Sequence, residues 1–108
     1  MRNATCAALA AILCLATAPA FADAIDGDWC STAARRHLSI DGPKIVTPGG
    51  RTLQGEYSRH GFVYTAPAGE AEAGRRVDLR LVNDRTMTFR AEGAGGDEIW
   101  NRCARPTS

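Results

Sequence analysis

The sequence has few of the side chains that usually perform chemistry. His37 and His60 are its two histidines, and cysteine occurs four times in 108 residues. There is no Cys-x-x-Cys pair, no zinc-ligand spacing and no Gly-x-Ser-x-Gly nucleophile elbow. Neither histidine has an evident nucleophile or carboxylate partner. We therefore predict no catalytic residues, no bound metal and no cofactor.

An excess of charge of either sign is also missing. The chain carries 13 Lys and Arg against 12 Asp and Glu, for a formal net charge of +1. Nucleic-acid binding usually requires a broad positive field, so we expect no nucleic-acid partner. Lysine occurs once, at Lys44, and every other cation is arginine. This preference, with abundant alanine and glycine, suggests a GC-rich bacterial genome.

The first 22 residues have the layout of a secretory signal peptide. Arg2 supplies a positive start, Ala4–Ala18 is an uncharged apolar run, and Ala20–Ala22 offers small residues before a cut at Asp23. The alternative is a membrane anchor, but a spanning helix needs about 20 strongly apolar residues and much of this run is alanine. We predict cleavage of residues 1–22, a single mature domain over 23–108, no remaining membrane span, and a periplasmic or secreted location.

Cleavage would leave only Cys30 and Cys103. Compartments outside the inner membrane are oxidising, so two cysteines in an exported chain predict one structural disulfide. The bond would close a loop of about 74 residues, a stabilisation of roughly 4 kcal/mol in the chain-entropy description. A domain this small has a marginal hydrophobic core and would depend on that link.

Alternation of apolar and polar residues recurs along the mature chain, with turn residues between the runs. It predicts eight short strands: Asp28–Ser31, His37–Ile40, Lys44–Thr47, Thr52–Ser58, Phe62–Ala66, Arg76–Leu81, Thr86–Ala91 and Glu98–Cys103. The fold class is therefore all-β, with a small antiparallel barrel or meander as first choice and a two-sheet sandwich as second. Gly55 interrupts an apolar row and predicts a bend at a barrel corner. Pro67–Gly74, the longest interruption, predicts a mobile loop.

The cysteines fall in the first and last predicted strands. Joining those strands would close the sheet and remove its exposed edges. Because side chains alternate between faces, cysteines sharing one face would place Trp29 and Trp100 on the other. The pattern leaves open which face is the interior.

Two features predict a binding surface. The first is the turn at Arg59 and His60, followed by the aromatic Phe62. The second is a row of arginines on the outer face of two neighbouring strands, since arginine binds carboxylate and phosphate bidentately. The arginines of this row are Arg76, Arg80 and Arg90. The alternative is an ordinary solvated face, because exposed charges usually contribute little beyond solubility.

Three segments carry a resemblance to a set of short exported bacterial proteins of unassigned activity. They are Gly27–Cys30, Ile40–Gly50 and Ile99–Cys103. More loosely, the size, the single disulfide and the Gly27-x-Trp29 opening are similar to periplasmic inhibitor barrels that block lysozymes or secreted proteases. The Ser-Gly-x-x-Tyr loop of the lysozyme-inhibitor barrels is missing here, and the cysteine spacing differs from that of the protease inhibitors.

These observations favour a non-enzymatic envelope protein that acts by binding a protein or a small ligand. The runner-up is a periplasmic inhibitor of a hydrolase, which would insert Arg59–Phe62 or Pro67–Gly74 into an enzyme cleft. A small enzyme is the least favoured class, because the sequence offers no nucleophile with its base.

Overall fold

The computed structural model describes residues 24–104, and the predicted signal peptide with its cleavage site lies outside that range. Within the range the chain forms nine antiparallel strands and no helix, and so nothing there could cross a membrane as a helix. The strands are β1 (Gly27–Ser31), β2 (Arg36–Asp41), β3 (Lys44–Val46), β4 (Thr52–Gln54), β5 (Glu56–Ser58), β6 (Gly61–Thr65), β7 (Arg76–Asn83), β8 (Thr86–Ala91) and β9 (Glu98–Arg102). The all-β prediction is confirmed, with one predicted strand divided into β4 and β5.

The sheet closes through a bend in the chain. Its strand order is β4-β3-β2-β1-β9-β8-β7-β6-β5, so the two outermost strands are β4 and β5. These strands are consecutive, and only Gly55 separates them. The two edges of the sheet are therefore brought together by a single residue. The result is a nearly closed barrel, the first choice from sequence, and not a two-sheet sandwich.

Glycine is required at this corner for steric reasons. The amide of Gly55 donates to the carbonyl of Pro43 at 2.9 Å, which holds the end of β4 against the start of β3. A β-carbon at position 55 would lie 2.5 Å from both Phe62 Cε1 and the Val63 carbonyl oxygen. The predicted bend at a barrel corner is thus found where β4 passes into β5.

The interior of the barrel is filled by large side chains. Trp29 and Trp100 are fully buried, and the Phe89 ring stacks on Trp100 at a centroid distance of 5.0 Å. The rest of the core comes from the inward residues of the other strands, chiefly Leu38, Ile40, Ile45, Phe62, Tyr64, Val77, Leu79 and Met87. The tryptophan face, which the sequence left unassigned, is therefore the interior, and the disulfide lies on the other face.

The predicted disulfide between Cys30 and Cys103 is present, with the two Cα atoms 4.9 Å apart. Cys30 lies in β1, and Cys103 lies just beyond β9 and not within it. β1 and β9 pair in register Trp29↔Arg102, so the bond joins strands that already share hydrogen bonds. The first and last strands are therefore joined, as predicted, and their pairing connects the two halves of the sheet. The outermost strands, β4 and β5, meet at Gly55 and not at the disulfide.

Arg102 covers one end of the barrel, called here the Arg102 end. Its guanidinium donates to the carbonyls of Ala24, Asp26 and Asp84 at 2.5 to 2.9 Å and lies 4.1 Å from the centre of the Trp29 ring. Burial lowers the pKa of Arg102, and Asp84 and Asp26 partly oppose that effect. The Arg102 guanidinium thus holds the first described residues, Ala24 and Asp26, against the end of β9.

Candidate functional site

A groove of about 420 Å³ crosses the outer face of β5, β6 and β7. We call it the outer groove. Its polar lining consists of Glu56, Tyr57, Ser58, His60, Arg76, Asp78 and Arg80. Strand register accounts for the depression, because Gly61 pairs with Arg80 and offers no side chain beside it. The groove is therefore formed mainly by paired strands, with His60 added from the turn before β6.

The charges of the outer groove are mixed. Arg80 pairs with Asp78 at 3.2 Å, and the arginine is the more exposed of the two. Asp78 also faces Arg90 in the neighbouring β8, and Arg90 pairs with Asp97 at 3.3 Å. Opposite charges thus stand at facing positions of β7 and β8, where cross-strand pairs can interact. The outer groove therefore presents both signs of charge.

The structure brings together part of the predicted binding surface. His60, Arg76 and Arg80 line the outer groove, and Arg90 lines a smaller recess of about 200 Å³ that shares Arg80. Arg59 is exposed in the turn before β6, where its carbonyl accepts a hydrogen bond from Ile25 at 2.8 Å. Phe62 is fully buried, so its ring belongs to the core and is not presented to solvent.

A second polar site, which the sequence did not reveal, lies at the end of the barrel opposite the Arg102 end. Arg36 donates to both carboxylate oxygens of Glu72 at 3.0 and 2.9 Å and lies 3.5 Å from Glu98. Its guanidinium also stands 5.2 Å from the centre of the Phe89 ring and 5.5 Å from that of Trp100. Burial lowers the pKa of Arg36, but the hydrogen bond and charge of Glu72 outweigh it, and the net pKa is raised.

The segment Pro67–Gly74, called here the capping loop, covers this end of the barrel. Glu70 is its buried anchor, accepting from the Thr47 hydroxyl at 2.5 Å and lying 3.6 Å from Arg51 Nη1. Arg51 also donates to the carbonyl of Ala68 at 2.6 Å. Turn hydrogen bonds, including Ala73 to Glu70 at 3.0 Å, give the loop internal order. The predicted mobile loop is therefore a turn-rich cap held by charged contacts.

Two buried polar atoms, one beneath the capping loop and one within it, have no partner within residues 24–104. They are the hydroxyl of Tyr64 and Oε1 of Glu70. Burial raises the pKa of Tyr64 far above its usual range, and the Glu72 and Glu70 carboxylates add to the effect. The hydroxyl therefore stays neutral and keeps a proton that it can donate. A buried hydroxyl without a partner costs stability, and folded proteins retain few of them.

Replacing Tyr64 by phenylalanine is expected to leave the free energy of unfolding unchanged or to raise it by about 1 kcal/mol, because an uncompensated desolvation penalty is removed. Urea unfolding of the mature protein measures the change. Tyr57→Phe is the matched control, since Tyr57 donates to Asp26 and should lose stability slightly. A loss of more than about 1 kcal/mol for Tyr64→Phe would show that the hydroxyl has a partner.

The two histidines lie in different parts of the barrel. His60 lies in the outer groove beside Arg80 and Asp78, and His37 is exposed on β2. Between residues 24 and 104 no three His, Cys, Asp or Glu side chains are grouped so as to hold a metal ion. Comparison with protein-family models, with curated proteins and with solved structures finds no match.

Proposed function

We propose that the mature chain is an exported, non-enzymatic binding protein of the cell envelope and that it contacts a protein partner through the outer groove. The observation that carries the proposal is the combination of a side-chain-filled barrel with an open groove on its outer sheet face. Small barrels that bind ligands internally leave space in the lumen, whereas both tryptophans occupy it here.

Partner binding fits the character of the groove. The groove places three kinds of group side by side: the imidazole of His60, the exposed cation of Arg76 and the partly exposed ring of Tyr57. Tyrosine and arginine are enriched among the residues that dominate binding energies. The strands beneath are tied by ladder hydrogen bonds, so little ordering entropy would be lost on association.

Export is supported by two independent features. The first is the charge, apolar run and small-residue site at residues 1–22. The second is the disulfide, since such bonds persist mainly in oxidising compartments. The resemblance to short exported bacterial proteins points to the same location, the periplasm or the medium.

Site-specific photo-cross-linking in intact cells tests the proposal. A photoreactive residue at Ser58, in the outer groove, is expected to give one dominant cross-linked protein, and the same residue at His37 on β2 is expected to give none. Reversing both Arg76 and Arg80 to glutamate should abolish the product. Mass spectrometry should show that the mature chain itself, within the cross-linked product, begins at Asp23.

Equal products from the two positions, or none from Ser58, would contradict the proposed groove. An intact Met1 terminus in a membrane fraction would contradict export while leaving the groove to be judged by the cross-links. The two parts of the proposal are thus tested separately.

Hydrolase inhibition is the second candidate, and one observation favours it. The turn at Arg59 and His60 is exposed, yet its backbone is fixed by hydrogen bonds from Ile25 and Leu81 at 2.8 and 2.9 Å. Pre-organised loops are an advantage when a segment must enter an enzyme cleft. Stoichiometric inhibition of a lysozyme or an envelope protease, lost on replacing both turn residues by alanine, would establish it. Activity unaffected by the protein across such enzymes would exclude it.

A further inference from the structure

The barrel is not closed along the whole line where its two edge strands meet. β5 pairs with β6 only as far as Glu56↔Val63, and within residues 24–104 no pairing joins β4 to β6. Continuing that register would place Gln54 opposite Thr65, but on the other side of Gly55 the chain pairs with β3 instead. A gap, called here the seam, therefore lies between β4 and Thr65 of β6.

The backbone of β4 presents unpaired groups to the seam. The Gly55 amide donates to the Pro43 carbonyl at 2.9 Å, one step beyond the last pair of β3 with β4. Bonded positions alternate along an antiparallel pair, so Gly55 and every second residue before it bond to β3. The N–H and C=O groups of Thr52 and Gln54 therefore point into the seam. Both residues are exposed, and an unpaired strand edge is a template for pairing with another chain.

Across the seam, β6 presents backbone groups of its own. The Ala66 amide donates to the Arg75 carbonyl at 2.9 Å, in register with the pairing of β6 with β7. By the same alternation, Thr65 does not bond to β7 and turns its N–H and C=O groups toward β4. Thr65 is also exposed. The seam therefore has hydrogen-bonding groups on both sides, which an extended peptide can use.

A recess of about 590 Å³ occupies the seam. Its inner wall is formed by Leu53, which is only partly buried against the core, and by the buried Tyr64. Its outer rim is polar and consists of Gln54, Glu56, Thr65 and Arg76. Successive side chains of a strand point to opposite faces, so a segment that alternates apolar and polar residues would match both walls.

The recess continues the outer groove, and Glu56 and Arg76 line both depressions. Both ends of the described chain lie at the Arg102 end. The seam runs instead toward the capping loop, whose Ala68 carbonyl accepts a hydrogen bond from Arg51. A partner already in the outer groove is therefore better placed to fill the seam than either end of the described chain.

We propose that the seam binds an extended segment of the protein partner, which adds to β4 as a further strand. The inference rests on the function proposed above, because it identifies the part of that partner that the barrel recognises. The segment would exchange hydrogen bonds with Thr52 and Gln54 and meet Thr65 on its other side. Its inward side chains would be apolar, against Leu53, and its outward ones polar. Strand addition takes its affinity from the backbone and its specificity from alternate side chains.

A peptide titration tests the seam directly. The probe is the acetylated and amidated peptide Lys-Thr-Val-Thr-Val-Thr-Lys, added to the mature, oxidised protein and followed by NMR. We expect the largest amide shifts at Thr52 and Gln54. Gln54→Pro removes an N–H that bonds to no strand of the barrel and should weaken binding at least tenfold. Gln54→Ala keeps that N–H and should retain the wild-type affinity.

Thr52→Pro is the second variant, since proline is tolerated at the first residue of a strand. It should weaken peptide binding to a similar extent, and thermal unfolding shows whether each variant is folded. A wild-type protein that binds no peptide would overturn the proposal, and so would equal losses for Gln54→Pro and Gln54→Ala. A wild-type dimer that Gln54→Pro dissociates would overturn it as well, because a second copy would then occupy the edge of β4.

Cross-linking in cells separates this inference from the proposed function. The product expected from a photoreactive residue at Ser58 should disappear in the Gln54→Pro variant and persist in Gln54→Ala. A product that persists in both would overturn strand addition while leaving the outer groove as the binding surface. Absence of the product from the wild type would contradict the outer groove, and the peptide titration would then judge the seam alone.

Discussion

Replacing Cys30 and Cys103 together by serine is expected to lower the free energy of unfolding by about 4 kcal/mol, within the usual 2–5 kcal/mol for a native disulfide in a small domain. The bond joins residues 73 apart in sequence and so constrains nearly all of the described chain. In the chain-entropy description, most of the effect arises in the unfolded state, where the loop would otherwise be free. Urea unfolding of the two proteins measures the difference.

Wild-type protein unfolded in the presence of a reductant is the control, and it should reproduce the stability of the serine variant. Because the disulfide lies on the outer face and away from the outer groove, cross-linking at Ser58 should persist wherever the variant remains folded. Two free thiols in native protein under oxidising conditions would contradict the structural role. A folded variant that loses its partner would show that the pair also contributes to binding.

Replacing Gly55 by alanine is expected to destabilise the barrel by about 3 kcal/mol, at the upper end of the cost of overpacking a well-packed site. The new methyl would meet the Phe62 ring and the Val63 carbonyl at 2.5 Å. The ring can shift, but the carbonyl belongs to the backbone of β6 and cannot move without disturbing the ladder. Thermal and urea unfolding measure the loss.

Gly95→Ala is the matched control, because a β-carbon at position 95 would meet no atom within 4 Å. It should change stability by no more than about 0.5 kcal/mol, as surface substitutions usually do. Equal effects at positions 55 and 95 would show that the corner between β4 and β5 tolerates a side chain. The bend would then not depend on glycine.

The barrel could be predicted from sequence because the alternation of apolar and polar residues that encodes each strand lies within a few consecutive positions. In β7, apolar Val77, Leu79 and Leu81 alternate with polar residues, and this period directly encodes one buried face and one wet face. The bend at Gly55 could also be predicted, since a glycine that interrupts an apolar row usually marks a bulge, a bend or a close backbone approach. Whether Trp29 and Trp100 face the interior or the solvent could be decided only once the register of β1 and β9 was known.

The Arg36 site could not be predicted because its members are far apart in sequence. Arg36 meets Glu72 and Glu98 only when β2, the capping loop and β9 reach the same end of the barrel. The alanine, glutamate and glycine of the capping loop resemble the composition of a flexible segment, and nothing local shows that Glu70 is buried. The outer groove was partly predicted, because alternation places Arg76 and Arg80 on the outer face. Phe62 was assigned to the binding surface with the neighbouring turn, although it begins a predicted strand and its ring is buried.

The strand order also has a consequence for folding. Within residues 24–104, seven of the eight strand pairings join strands that are consecutive in sequence, and the pairing of β1 with β9 joins the first strand to the last. The hairpins can therefore form early with little loop-closure cost, while the end-to-end pairing must wait until both halves are made. Because Cys30 and Cys103 meet only at that pairing, oxidation of the thiols would report the moment at which the barrel closes. During synthesis, an oxidant could therefore join the two thiols only after β9 had left the ribosome and paired with β1.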